Sequence, residues 1–593
     1  MRGYVLRVAC CVNRLPILRL AYCGLLWVGF ALMLRLLDRF ALREDEAIYS
    51  YWALHFWRVD PYFLTVWPDK PPLFLWLLAG AFQLWGASQA SGRFLNILLT
   101  LLTAVVVGAM ARRLWGQQSG LVATTLYLFN PFALSFAPTV YTDPLLILTG
   151  QLALYSAITG RGLSAGLWLA AAMMTKQQGV FYVPLIVLAL WLRPGLPKIT
   201  IRSVNLWLRF AVGVLLVIAP IVYWDSTRWA VAPSPWDLSM RTYGRLAMAA
   251  MNQWLPRAYE WAKLLWYLTA SWPVWLILIG GIIVALQFYQ SNSERLRRPI
   301  GTLEFRNGYL HFYAKLTRPY GTKAQVALGT SSGKVGADNR IDAADLPGRF
   351  TGQPAGFLIG WLVLWCGGFL VVHIVTTIQI WDRYLLPLAP LLCLLVTWAF
   401  TQIRGCGFGC RPGAGWQQAA PQWRWLAALI GLLCLVPPAL AATNGALPLG
   451  GDHGDYNGLT AVITRLRAEA PDDAILYHQR LGWHYQFYLF DEVTTGAYDL
   501  RWFPTPVYLA ANAAQSPNHP RFLILPDWAP QPALALHLAA RRLYLLPVAH
   551  RERMTLYRIQ NQTQASCDWC RCGGHSPWPV WPKLDLSGES VQP

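Results

Sequence analysis

Five short motifs combine ionisable residues in a way that chemistry at a membrane surface could use. Carboxylates can take a proton from a nucleophile or hold a metal ion. Lysine and arginine can hold a phosphate and stabilise it as a leaving group. Acidic and basic groups together therefore suit a reaction in which a nucleophile loses a proton while a phosphate is held. The motifs are Arg43-Glu44-Asp45-Glu46, Asp69-Lys70-Pro71-Pro72-Leu73, Arg93, Tyr141-Thr142-Asp143-Pro144 and Trp381-Asp382-Arg383-Tyr384.

The chain that carries these motifs has the composition of a membrane protein. Hydrophobic residues make up 55% of its 593 residues and charged residues 13%, whereas a soluble protein carries about 25% charge. Its apolar runs of about 17–25 residues have the length needed to cross a hydrocarbon core of roughly 30 Å. The predicted fold class is an α-helical polytopic membrane protein with about 11–13 transmembrane helices.

The net charge of +20 has its explanation in membrane topology. Basic residues bracket the apolar runs, as the positive-inside rule expects, and no basic groove interleaved with aromatic residues stands out. Nucleic acid is therefore not an expected partner. Several of the eleven cysteines lie within apolar runs, where cysteine behaves as a small hydrophobe, so no disulfide framework is predicted.

Topology places all five motifs on one face of the membrane. Four arginines before the first apolar run put the N-terminus in the cytoplasm, and the basic clusters after alternate spans then fall inside. The motifs fall outside, where ionisable groups beside a membrane are usually functional or paired. Residues 71–86 are apolar but short, so they either cross or dip into the membrane. The predicted spans are 16–37, 94–111, 119–137, 144–159, 162–175, 177–192, 206–224, 264–288, 355–377, 384–401 and 424–441.

Two hydrophilic blocks complete the predicted domain organisation. Residues 1–441 form the transmembrane domain, with a basic cytoplasmic insert at about 290–352 that is either a small β-rich element or a disordered loop. Residues 442–561 form a small extracytoplasmic α/β domain. Its expected strands lie near 474–477, 522–526 and 543–548, and its expected helices near 456–469 and 531–541. Residues 562–593 are expected to be a disordered tail.

At these motifs the sequence resembles the bacterial branch of the polytopic C-type glycosyltransferases that use lipid-phosphate sugars. This family includes protein O-mannosyltransferases and the enzymes that add aminoarabinose to lipid A. The resemblance covers about residues 16–225 well and 355–441 loosely. The acidic pair of the family matches Asp45-Glu46, and its Lys-Pro-Pro-Leu motif matches Lys70 to Leu73. An Arg and a second Asp of the family match Arg93 and Asp143, and its Arg-Tyr-x-x-Pro motif matches Arg383-Tyr384 with Pro387.

The resemblance implies an inverting transfer of a sugar from a polyprenyl-phosphate donor to a protein, lipid or glycan acceptor outside the bacterial plasma (inner) membrane. Asp45, beside Glu46, is the implied catalytic base or the group that orients the acceptor, and Asp143 supports the acceptor side or a metal. A divalent metal is possible, and no other cofactor is implied. The implied ligands of the donor phosphate are Lys70, Arg93 and Arg383, with Tyr384 assisting.

Each motif also has a structural explanation when it is considered alone. Asp45-Glu46 could be a solvated helix turn, and Lys70 could extend to the lipid headgroups. Arg93 and Arg383 could anchor helices at the interface, and Asp143 could cap the helix that begins at Pro144. The occurrence of all five motifs on one face favours the functional interpretation.

Further polar residues favour structural roles. Lys176 is interpreted as the polar turn of a helical hairpin, with a site role as the alternative. The segment Gly451 to Gly458 lacks calcium-loop spacing, and His478 and His484 are expected among packed aromatic residues. Cys567, Cys570 and Cys572 would need a fourth ligand such as His575 to bind zinc.

Three other functional classes remain open. A flippase or transporter of polyprenyl-linked glycans would carry charges near the bilayer midplane and an internal repeat, and neither is evident. A polymerase or ligase of surface polysaccharide shares the lipid-linked substrate. A non-catalytic scaffold would bind lipid-linked sugar through Lys70 and Arg93 but would tolerate the loss of Asp45.

Overall fold

The computed structural model describes residues 14–191, 201–243, 247–297, 303–306, 309–312, 354–406, 421–450 and 454–562. The chain forms two compact units. The first consists of Met1–Arg39 and Trp52–His453, and the second of Phe40–Tyr51 and Gly454–Pro593. The second unit therefore includes a short segment from the N-terminal part of the sequence.

The first unit is built almost entirely from helices, as its apolar runs predict. Short 3₁₀ helices at Gln177–Phe181 and Asp382–Leu385 interrupt the α-helical chain. The α-helices up to residue 191 are α1 (Arg14–Leu34), α2 (Glu44–Arg58), α3 (Leu73–Trp85), α4 (Gln89–Trp115), α5 (Gln117–Leu128), α6 (Pro131–Phe136), α7 (Asp143–Thr159), α8 (Gly162–Thr175) and α9 (Tyr182–Trp191). The remaining elements are α10 (Ile201–Arg228), α11 (Pro235–Thr242), α12 (Met251–Trp266), α13 (Trp272–Arg297), the strands β1 (Leu303–Arg306) and β2 (Tyr309–Phe312), α14 (Pro354–Val375), α15 (Leu388–Cys406) and α16 (Pro421–Thr443).

Three of the described helices are long and apolar enough to cross a membrane by length and composition. They are Gln89–Trp115, Val204–Arg228 and Leu358–Val375. Seven shorter apolar helices accompany them among the described residues. Only 11% of the most apolar window of Val204–Arg228 is buried within the protein, which fits a helix that faces lipid. The total number of crossings and the orientation of the termini stay predictions.

Glycines allow the helices α8 and α10 to pack backbone against backbone. A Cβ at Gly166 would lie against the Phe210 carbonyl oxygen, and a Cβ at Gly213 would lie against that of Leu163. Gly162 and Gly166 have the G-x-x-x-G spacing that brings membrane helices close together. This contact fixes α8, whose last residue is followed by Lys176.

The helices follow most of the predicted spans, but not all of these spans are continuous. The predicted span 119–137 is divided between α5, which ends at Leu128, and α6, which begins at Pro131. The predicted span 264–288 is interrupted, because α12 ends at Trp266 and α13 begins at Trp272, with a turn between them. The helices α11 and α12 were not predicted as spans, since their polar residues break any long apolar run. Residues 71–86 form α3, and whether α3 crosses the membrane stays a prediction.

The second unit contains an α/β domain, as its short apolar runs predict. Its elements after the Phe40–Tyr51 segment are α17 (Leu459–Glu469), β3 (Ala474–His478), α18 (Gly482–Tyr488), α19 (Phe490–Thr494), β4 (Tyr498–Trp502), α20 (Pro506–Gln515), β5 (Arg521–Pro526), α21 (Pro532–Ala539), β6 (Leu543–Arg551) and β7 (Met554–Asn561).

These five strands form one mixed sheet in the order β4-β3-β5-β7-β6. The strands β4, β3 and β5 run parallel, and β7 is antiparallel to both β5 and β6. Two apolar cores cover the two faces of the sheet. One contains Leu476 and Tyr485 from β3 and α18, and the other contains Tyr477 and Leu509 from β3 and α20.

Several predicted features lie partly or wholly outside the described residues. Within the 290–352 insert, β1 and β2 pair antiparallel, with Leu303 opposite Phe312. The predicted tail, the three cysteines Cys567, Cys570 and Cys572, and residues 451–453 of the Gly451 to Gly458 segment fall outside the described ranges. Their interpretations stay predictions.

Candidate functional site

A cavity of about 150 Å³ in the first unit contains two lysines. Lys70 and Lys176 reach it from segments far apart in sequence, and both residues are about 5% exposed. Its wall is otherwise neutral, with aromatic, amide, hydroxyl and apolar side chains. The lining residues are Lys70, Lys176, Gln177, Gln178, Val180, Phe181, Ser239, Met240, Tyr243, Thr377, Ile378, Gln379 and Tyr384.

Lys70 enters the cavity from the loop before α3. Its Nζ donates to Asp69 Oδ2 at 2.8 Å and to the Tyr243 hydroxyl at 2.9 Å. The same ammonium lies 4.3 Å from the centre of the Tyr243 ring, within the range of a cation–π interaction. Two prolines follow Lys70, so the chain is stiff where it turns into α3.

Lys176 lies in the turn between α8 and the 3₁₀ helix Gln177–Phe181. Its Nζ donates to Asp143 Oδ1 at 2.7 Å and lies 4.9 Å from the centre of the Tyr384 ring. Burial lowers the pKa of Lys176 to about 8, although the Asp143 carboxylate opposes this shift; the charges of Arg383 and Lys70 lower the pKa further. Three cations are therefore close enough to influence one another.

Asp143 is placed by the helix that it begins. It is the first residue of α7 and is 1% exposed. The loop before it is held by Asn96, whose Nδ2 donates to the carbonyl oxygens of Thr139 at 2.6 Å and Tyr141 at 2.8 Å. The Asp143 carboxylate therefore bonds Lys176 from a fixed position at a helix N-terminus, where negative charge is favoured.

Arg383 and Tyr384 come from the 3₁₀ helix between α14 and α15. The Arg383 guanidinium lies 4.4 Å from the Trp381 ring centre and 5.0 Å from that of Tyr141. Asp382 holds this segment, because its carboxylate accepts the Arg383 N–H at 2.7 Å and the Gly450 N–H at 2.5 Å. Tyr384 lines the cavity and Arg383 packs beside it.

A hydrogen bond joins the two lysine segments. Gln177 follows Lys176, and its Nε2 donates to the Asp69 carbonyl oxygen at 2.9 Å. Tyr243 packs edge-on against Trp381 with ring centres 6.0 Å apart. Four segments separated in sequence are thus joined around one cavity.

Arg93, like Arg383, is a predicted phosphate ligand that does not line this cavity. It lies in the second turn of α4, is 3% exposed, and donates from its NH1 to the Leu37 carbonyl oxygen at 2.9 Å. This bond ties α4 to the end of the first helical segment. Its predicted role at the phosphate stays a prediction.

Asp45 and Glu46 lie in the first part of α2, up to Tyr51, which belongs to the second unit, whereas the rest of α2 belongs to the first. Glu46 is fully buried, and its Oε2 accepts the Arg43 N–H at 3.0 Å, which fixes the start of α2. The preceding residue Leu42 accepts a hydrogen bond from His484 Nε2 at 2.9 Å. Tyr51 packs with ring centres 6.0 Å from Trp483 and 6.2 Å from Phe490. The acidic motif is therefore built into the α/β unit.

Two residues of the cavity were not assigned to it from the sequence. Tyr243 carries no motif, and its bond to Lys70 spans 173 positions. Lys176 does occupy a turn, as interpreted from the sequence, and it also faces the cavity. The signal for Lys176 was its position between two apolar helices, where an ionisable residue is costly unless it is used or paired. In the described part of the chain, no three His, Cys, Asp or Glu side chains cluster as metal ligands would.

The fold resembles that of ArnT, as a comparison with two crystal structures shows. The crystal structure of ArnT from Cupriavidus metallidurans in the apo state matches with a TM-score of 0.54 and 16% identity. The structure of ArnT from the same organism bound to undecaprenyl phosphate matches with a TM-score of 0.51 and 16% identity. Each match covers 91% of this chain and 97% of the other. At 16% identity, these matches show similarity of fold alone.

A family model matches one part of the sequence. Residues 69–224 match the family of dolichyl-phosphate-mannose-protein mannosyltransferases. This range contains Lys70, Arg93, Asp143 and Lys176. The resemblance to polytopic, lipid-phosphate-dependent glycosyltransferases is thereby confirmed. No curated protein sequence matches the chain significantly.

Proposed function

We propose that this protein is a membrane glycosyltransferase that takes a sugar from a polyprenyl-phosphate donor and transfers it, with inversion, to an acceptor outside the bacterial inner membrane. The observation that carries the proposal is the pair of buried lysines in one aromatic-lined cavity. Lys70 is paired with Asp69 and Lys176 with Asp143, and a bound anion would add a second counter-charge to each buried cation. A phosphate is the anion that the family match suggests.

The cavity suits a phosphate joined to an apolar chain. Lys70 and Lys176 offer charge-assisted hydrogen bonds, and Tyr243 and Tyr384 offer hydroxyl groups. Val180, which is 47% exposed, and Met240, which is 46% exposed, give the same cavity an apolar side. In the proposed complex the phosphate meets the lysines while the isoprenoid chain follows the apolar side.

Binding of the donor would compete with the ion pair between Lys176 and Asp143. The Lys176 ammonium has three donor positions, so it can bond a phosphate oxygen while it keeps or weakens its bond to Asp143. As the bond between the sugar and the phosphate breaks, negative charge grows on the leaving oxygen. Cations in a water-poor cavity stabilise such charge more strongly than they do in water.

In the proposed reaction a hydroxyl or amine of the acceptor attacks the anomeric carbon from the face opposite the phosphate. The bond from that carbon to the phosphate oxygen breaks, and polyprenyl phosphate leaves with the electron pair. Asp45 takes the proton of the nucleophile. Glu46 holds the start of the helix that carries Asp45, and Asp143 positions Lys176.

The test follows release of polyprenyl phosphate from purified protein in nanodiscs, supplied with radiolabelled polyprenyl-phosphate mannose or pentose and a membrane acceptor extract. We expect Asp45→Asn to abolish release while donor binding survives, and Lys70→Ala to weaken donor binding. Asp473→Asn, which changes an exposed carboxylate, serves as the matched control. A wild-type protein that binds these donors but never releases polyprenyl phosphate would overturn the proposal in favour of a flippase or scaffold.

A further inference from the structure

In the second unit, two neighbouring parallel strands send their outgoing connections to opposite faces of the sheet. The chain leaving β3 passes to the face covered by α18, where Tyr485 is buried, and the chain leaving β4 passes to the opposite face, where Leu509 of α20 is buried. Neighbouring parallel strands whose outgoing connections take opposite faces leave a crevice between their ends. Ligands of open α/β sheets bind at such positions.

The two strands end at this crevice with an imidazole and an indole. His478 of β3 pairs in register with Trp502 of β4, so both side chains point to the same face of the sheet. Trp502 is 57% exposed. Nδ1 of His478 is buried and has no hydrogen-bond partner among the described residues. Burial lowers the pKa of His478 to about 4, so its ring is neutral and can donate and accept.

Amide side chains line the crevice beside these rings. Gln479 Nε2 donates across it to the Pro504 carbonyl oxygen at 3.3 Å, and Gln479 Oε1 accepts from Gln531 Nε2 at 2.8 Å. Both glutamines are half-buried. The loops after all three parallel strands are therefore joined by amide groups that keep further hydrogen-bonding capacity.

The crevice lies beside the acidic motif within the same unit. Burial and the Asp45 charge raise the pKa of Glu44, and the nearby charge of Arg480, which follows Gln479, opposes this shift. A Cβ on Gly482 would contact the His478 ring, and the same short helix carries His484, which bonds Leu42. A ligand at Trp502 would thus lie on the side of the unit that carries Asp45.

We propose that this crevice, formed by His478, Gln479, Trp502 and Gln531, is a carbohydrate-binding subsite that holds a glycan acceptor beside the acidic motif. The proposal rests on the proposed glycosyltransferase function. A pyranose ring presents an apolar face that stacks on an exposed indole, and its hydroxyl groups bond to amides and a neutral imidazole. The polar groups gather at the strand ends and not along the open edge of β4, which favours a glycan over an extended peptide.

The direct test measures saturation-transfer NMR on the full-length protein in nanodiscs with mannotriose, maltotriose, chitotriose and a Ser/Thr-rich peptide as separate probes. We expect transfer to at least one trisaccharide, lost in Trp502→Ala and weakened in Gln479→Ala. Tyr508→Ala is the matched control, because Tyr508 is 49% exposed in the same unit but lies on α20, against the opposite face of the sheet. Transfer to the peptide alone, or to no probe, would overturn the proposal.

A kinetic measurement separates this proposal from the proposed function. With a glycan acceptor that is turned over, Trp502→Ala should raise the KM for acceptor about three- to tenfold, the range typical for loss of one aromatic contact. The kcat and the donor affinity should stay near wild type. If donor is bound and released normally while the acceptor KM is unchanged in Trp502→Ala, the subsite proposal fails alone. If the wild type never releases polyprenyl phosphate, the proposed function fails first.

Discussion

Lys70 and Lys176 differ in what their charges depend on. Lys70 bonds both Asp69 and the Tyr243 hydroxyl, whereas Lys176 bonds Asp143, whose side chain is less exposed than that of Asp69. Both can bond a phosphate, and burial lowers the pKa of Lys176 to about 8, so its charge is lost at mildly alkaline pH. This difference between the two residues gives two separate predictions.

Removal of the Lys70 charge should weaken donor binding strongly. A charge-assisted hydrogen bond contributes about 1.5–3 kcal/mol, so Lys70→Met should raise the Kd for polyprenyl phosphate on the order of tenfold to a hundredfold. Tyr243→Phe removes one hydrogen bond to Lys70 and keeps the ring, so its effect should be about tenfold or less. Calorimetric titration in nanodiscs gives both values. Equal affinities for wild type and Lys70→Met would exclude Lys70 as a phosphate ligand.

Donor affinity should fall as the pH rises through about 8, because burial lowers the pKa of Lys176 to about 8 and the neutral amine attracts a phosphate less. Below this pH Lys176 is charged and contributes fully to donor affinity. Above it the donor affinity falls by at most about tenfold per pH unit, because one proton is lost. Bound phosphate shifts the loss to higher pH. Lys176→Arg stays charged and should bind with a flat profile between about pH 7 and 9.5. A pH-dependent loss that persists in Lys176→Arg would assign it to another group.

At the scale of elements, the sequence predicted the helices that long apolar runs form. It did not predict features that depend on contacts between distant segments. The helices α7 and α8 begin within a residue of their predicted spans, since a Pro or Gly marks each start. The strand β4 was missed because Tyr498 to Trp502 alternates polar and apolar residues over only five positions. The place of Tyr243 beside Lys70 could not be predicted, because no local pattern encodes a contact between an irregular loop and a distant segment.

The close packing of α8 against α10 should be sensitive to side-chain volume. Gly166→Val would force a side chain into the Phe210 carbonyl, and overpacking of this kind costs about 1–3 kcal/mol. We expect a lower Tm in detergent and weaker donor binding, since α8 leads directly to Lys176. Gly360→Val in α14 meets open space and is the matched control. An unchanged Tm for Gly166→Val would show that the helices separate without loss of stability.

At the scale of the whole molecule, the two proposed tasks fall into different units. The proposed phosphate ligands Lys70, Lys176 and Arg383 lie in the first unit, and the acidic motif lies in the second with the α/β sheet. A protein organised in this way can lose transfer without losing donor binding. The segment Phe40–Tyr51 is the part of the chain on which this separation depends.

The bond from His484 to Leu42 offers a test of the separation. Burial lowers the pKa of His484 to about 4, so the ring is neutral at pH 7, and its bond to the Leu42 carbonyl requires a proton on Nε2. His484→Leu removes this donor from a fully buried position, and we expect transfer to fall on the order of tenfold or more, because an unsatisfied buried carbonyl costs about 1–3 kcal/mol and frees the acidic segment. The Kd for polyprenyl phosphate should stay within about twofold of wild type.

Two further variants distinguish this positioning role from general damage. His484→Gln can still donate to Leu42 and should restore part of the transfer rate, whereas His550→Leu changes an exposed histidine of the same unit and should have no effect. Loss of transfer and donor binding together in His484→Leu would contradict the separation of tasks. Such a result would mean that the acidic segment also affects donor binding.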